Sequence, residues 1–147
     1  MQLIALIRDS KYGMPTVQSF HLMGLMILLA AVLVVDLRLA GFGLADVAPS
    51  SLARQLKPWT LGGMTLAILS GILIFLGTPG KYIGSNPFRF KMATLSLAIL
   101  FHFLVLRRFV AAEPGSHPRR VNILIACISL TLWFSVGWAG RAIAFVP

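Results

Sequence analysis

Four stretches of this chain carry so little charge over such lengths that water cannot be their solvent on every side. No charge falls between Leu22 and Val35, between Trp59 and Pro79, between Met92 and Leu106, or between Val121 and Gly140. Crossing a bilayer core takes about 20 mostly apolar helical residues. The second and fourth stretches meet that alone; the first and third meet it with one polar group tolerated in each. No period-two alternation is sustained, and four strands could not close a barrel. The expected fold is therefore all-α, a four-helix transmembrane bundle with spans near 17–41, 59–77, 89–111 and 121–141. Residues 1–147 read as a single integral membrane domain. Composition agrees, with 58% hydrophobic and 12% charged residues, against about 25% charged in soluble domains. The charge-free core before Asp36 has the length of a signal-peptide apolar region; it is read here as a retained span.

The punctuation fits four helices. Pro15 and Pro87 suit first-turn positions, with Asn86 a candidate cap before the latter. The segment 76–87 and the segment 111–120 are short and rich in turn residues. The linker from Gly41 to Pro58 is longer, with room for a short interfacial helix. Thirteen Lys and Arg against four Asp and Glu give +9. The basic residues lie between apolar runs rather than as a patch on a polar fold, so a nucleic-acid partner is not expected and a lipid bilayer is. One cysteine, Cys127, excludes an internal disulfide. The first and third loops carry slightly more positive charge than the opposite side. The third is densest, with Arg107, Arg108, Arg119 and Arg120. That bias places it in the cytoplasm of a bacterial inner membrane, with both termini periplasmic.

Ionisable groups within spans cost a few kcal/mol each and call for a reason. His21 and His102 are candidate ligands for haem iron or copper, or else hydrogen-bonded packing residues. Lys91 and His102, eleven residues apart, share one helix face with Leu95 and Ala98. Asp36 and Arg38 do not face each other; the expectation is that Asp36 pairs with Arg54, Lys57 or a third-loop arginine. Arg141 beside Trp138 suits an interfacial anchor or a contact to a cofactor carboxylate. Gly63, Ala67 and Gly71 form a small-residue stripe that admits a close neighbouring helix. By helical rise His21 and His102 differ in depth by roughly 13–18 Å, so they are not expected to share one iron. His21 and Lys91 come out at one level, with Arg141 on the same side.

The segments FHLMGLMILLAAVLVVDLRLAGFGL, LKPWTLGG, NPFRFKMATLSLAILFHF and WAGRAIAF resemble an uncharacterised family of bacterial four-span membrane proteins. The third and fourth spans are also similar to the CopD-type copper-resistance membrane domain. The first and third are similar to the four-span, haem-binding protoporphyrinogen oxidase. That last resemblance implies functional roles for the His that opens the first span and the Lys that opens the third, here His21 and Lys91. It further implies a His three turns later, here His102. The resulting expectation is a membrane b-type haem protein for electron transfer or haem-linked oxidation. Its cofactor would be held by His21, Lys91, His102 and Arg141, with His21 and His102 the metal-binding residues, though not on one iron. Two other readings stand beside it: a non-catalytic subunit or assembly factor among other membrane subunits, and copper or small-solute handling.

Overall fold

The computed structural model describes residues 2–44 and 46–143. A short helix α1 (Gln2–Asp9) precedes the first span, α2 (Gly13–Leu39). Next come α3 (Pro49–Gly77), the single turn α4 (Pro79–Tyr82), α5 (Asn86–Ala111) and α6 (Arg119–Ala142). The helices α2, α3, α5 and α6 are each long and apolar enough to cross a membrane. Lipid-facing side chains such as Met26, Leu69, Leu97, Leu104 and Phe134 stay exposed, as apolar groups do where the solvent is hydrocarbon. Their hydroxyl-bearing neighbours are satisfied within their own helices. Thr60, Ser70, Thr94 and Thr131 each donate to the carbonyl four residues back.

Two boundaries differ from expectation. Helix α3 starts at Pro49, so most of the expected linker is helix and Pro58 lies inside it. The extra turns are held by packing: Leu52, Ala53 and Leu56 join a cluster with Val35, Leu39, Leu106, Val110 and Ile125. Tertiary burial outweighs the backbone bond that a mid-helix proline forfeits. Asn86 is the first helical residue of α5, and the extended residue before it is Ser85, which makes no side-chain cap.

The bundle is two hairpins. Helices α2 and α3 form the most extensive contact, α5 and α6 the next, and α2 packs on α6 to join them. The first hairpin closes at glycine. A methyl group at Gly63 would lie 2.7 Å from the Leu28 amide nitrogen and 2.8 Å from the Gly24 carbonyl. A methyl at Gly24 would lie 2.7 Å from the Ala67 nitrogen. No larger residue fits either place without parting the backbones. Leu28, Val32, Met64, Ala98, Trp133 and Val136 fill the centre.

Helices α3 and α5 are a different case. Near one end, Phe75, Tyr82 and Phe88 stack with centroids 5.4–6.1 Å apart. Near the other, residues 107–111 of α5 touch α3. Between these ties the two helices scarcely meet, and the seam holds two cavities.

Candidate functional site

The cavity beneath the aromatic trio has a volume of about 390 Å³ and is walled by α2, α3, α5 and α6. That is at the small end of the range for small-molecule sites, about 300–1,000 Å³. His21 and Lys91 are the ionisable residues on its walls; the remainder are apolar, including Leu28, Phe75, Phe88, Leu95 and Trp133.

His21 is fixed from α3. Its Nδ1 lies 2.8 Å from the Ala67 carbonyl oxygen and 3.2 Å from Ser70 Oγ. A carbonyl oxygen only accepts, so Nδ1 carries the hydrogen and donates it. The Ser70 hydroxyl is committed to the Leu66 carbonyl and accepts from the imidazole as a second, longer partner. In the neutral ring the lone pair is therefore on Nε2. Among the described residues nothing bonds that atom. Imidazoles that bind metals share this arrangement: one ring nitrogen tied to a backbone carbonyl, the other open to a ligand. Gly71 makes room for it, since a methyl group there would sit 3.2 Å from the His21 Cε1.

Lys91 crosses the cavity from α5 toward α6, where a methyl group at Gly140 would meet its Nζ at 3.3 Å. Among the described residues no carboxylate pairs with it; the ion pair there is Arg8 with Asp9, at 3.0 Å on the surface. His21 and Lys91, expected at one level, thus line one cavity. Arg141 follows Gly140 but is exposed and does not line it.

His102 lies in the second cavity, on the α5 face that carries Lys91, Leu95 and Ala98. There α5 loosens to a π-helix over Phe101–Leu106, and the Arg107 amide reaches the carbonyl of His102, five residues back. Its ring stands edge-on to Trp133, centroids 6.3 Å apart. Trp133 also lines the first cavity, so it stands between the two histidines.

Asp36 corrects the expected ion pair. Its carboxyl group is 0% exposed and faces Ser129 on α6 without closing a hydrogen bond, rather than reaching Arg54, Lys57 or the third loop. Arg38 turns away and donates from Nε to the Val47 carbonyl at 2.5 Å.

Sequence reasoning missed Met64 and Met92, which face the first cavity alongside His21. Met92 follows Lys91 directly, and Met64 follows Gly63 of the small-residue stripe, which signalled packing only. Among the described residues no three His, Cys, Asp or Glu side chains converge as a metal site.

Fold and cavity together define a four-span helical membrane protein with a histidine- and lysine-bearing pocket between its hairpins. The chain belongs to the family of unknown function DUF6644, whose profile matches residues 8–146. No curated protein and no solved structure matched the chain.

Proposed function

We propose that this protein is an integral membrane b-type haem protein of the bacterial inner membrane, serving electron transfer or haem-linked oxidation. The observation that carries the reading is His21: Nδ1 held by α3, Nε2 unbonded, on a cavity open between α3 and α5. The donor types present suit the group. His21 would hold the iron through Nε2. Lys91, a cation without a carboxylate partner among the described residues, would pair with a propionate or hold the iron as well. Phe75, Phe88, Leu95 and Trp133 would enclose the ring. Such a group would supply one-electron chemistry, and the protein would hold its iron and keep water from it. The reading also takes up the resemblance noted from the sequence, in which His21 and Lys91 fall where the haem-binding oxidase family has its functional His and Lys.

A specific observation favours copper(I) as the second reading, since Met64 and Met92 are soft ligands on the same cavity as His21. A single ion leaves most of a space of about 390 Å³ empty, whereas a porphyrin would fill it and extend into the open gap between α3 and α5; haem is preferred.

The test is spectral. Protein made in cells supplied with a haem precursor should show a Soret band with near-stoichiometric haem. His21→Gly should lose it, and added imidazole should restore it. A colourless protein with bound copper would select the second reading. A colourless, metal-free protein would point to a non-catalytic subunit instead.

A further inference from the structure

The second cavity along the α3–α5 seam has no part in that proposal, yet it is built for a ligand. Its volume is about 420 Å³, and its rim carries Arg54 and Lys57 from α3 and Arg107 from α5. No carboxylate lines it, and among the described residues none of the three cations has an anionic partner. All three are exposed cations on the rim of one cavity, an arrangement that favours an anion there.

Behind the rim the walls turn apolar, with Val32, Val35 and Leu106 buried. At the inner end His102 lines the cavity, while its Nδ1 is buried and without a hydrogen-bond partner. The backbone is irregular on both sides. Pro58 removes the donor that would pair with the Arg54 carbonyl. Opposite it, α5 takes its π-turn, a feature often found at functional sites.

We propose that this cavity binds one anionic phospholipid. Its phosphate lies among Arg54, Lys57 and Arg107, its glycerol-ester region reaches His102, and an acyl chain covers Val32, Val35 and Leu106. The cations sit at a span end, where lipid headgroups are, and the cavity lies on the seam that faces lipid. Basic pockets between transmembrane helices recognise anionic headgroups in this way. The site is independent of the haem reading, because its residues do not touch the His21 cavity.

The experiment is native mass spectrometry of delipidated full-length protein in detergent, titrated with dioleoyl phosphatidylglycerol or with phosphatidylcholine of the same chains. Phosphatidylglycerol should be retained at least about tenfold more tightly, roughly 1.4 kcal/mol. The triple variant R54Q/K57Q/R107Q should fall to the phosphatidylcholine level. The control R108Q/R119Q/R120Q removes equal charge outside the cavity and should leave retention unchanged. Equal loss in the control, or equal retention of the two lipids, would overturn the proposal. Inorganic phosphate alone stabilising the protein against heat as well as phosphatidylglycerol does would overturn it too, in favour of a free-anion site.

Discussion

At the scale of single residues, the imidazole of His21 owes its orientation to two things: a carbonyl that can only accept and a glycine that leaves space. The second makes a sharp prediction. Gly71→Val pushes branched carbon into the ring and should cut haem content by about tenfold or more, as losses of a supporting contact do. Gly62→Val, on a face where nothing lies within 4 Å, should leave it unchanged. Haem-to-protein ratios on the two variants, made side by side, check this. Lys91→Gln should keep the Soret band if the ammonium meets a propionate, while lowering the reduction potential, because a nearby positive charge favours the reduced iron. A Soret band retained but shifted in wavelength would instead make Lys91 a ligand of the iron. His21 and Lys91 were legible in the sequence because an ionisable group in an apolar run has few reasons to be there. Met64 and Met92 were not, because a methionine in such a run is as ordinary as a leucine.

The elements follow the same division. The close approach of α2 and α3 was half visible: the Gly63–Ala67–Gly71 stripe announced a neighbour but not that Gly24 would meet Gly63. Gly63→Leu should lower stability by about 1–3 kcal/mol, as overpacking does, or separate the hairpin outright. Thermal unfolding in detergent measures it, with Gly62→Leu, which meets nothing within 4 Å, as the control that should not lose stability. The start of α3 was hidden because Pro58 reads locally as a helix opening. Long-range burial of Leu52 against Leu106 and Val110 decided otherwise. The π-turn of α5 left no local sign, for Phe101–Leu106 is an unremarkable apolar run. Asp36 deceived for a related reason. Five arginines and a lysine were expected near the end of its helix, yet its rotational position on α2 turns it to Ser129 instead.

At the scale of the whole molecule, two tight hairpins leave one loose seam, and both cavities lie along it. The topology of four antiparallel spans was plain from the apolar runs; which pair of helices would stay apart was not, because hydrocarbon rewards neither choice by composition alone. Charge bias predicts a cytoplasmic Arg107–Arg120 loop, and on that expectation a reporter fused after the last span should read periplasmic. A cytoplasmic signal would invert the orientation without touching the seam. The central claim is that haem is held by His21 and not by His102. The most direct measurement is haem content by pyridine haemochrome in wild type, His21→Ala and His102→Ala, each purified from haem-replete cells. The account predicts near-stoichiometric haem in wild type and His102→Ala and its loss in His21→Ala. Haem absent from the wild type, or retained when His21 is replaced, would contradict it.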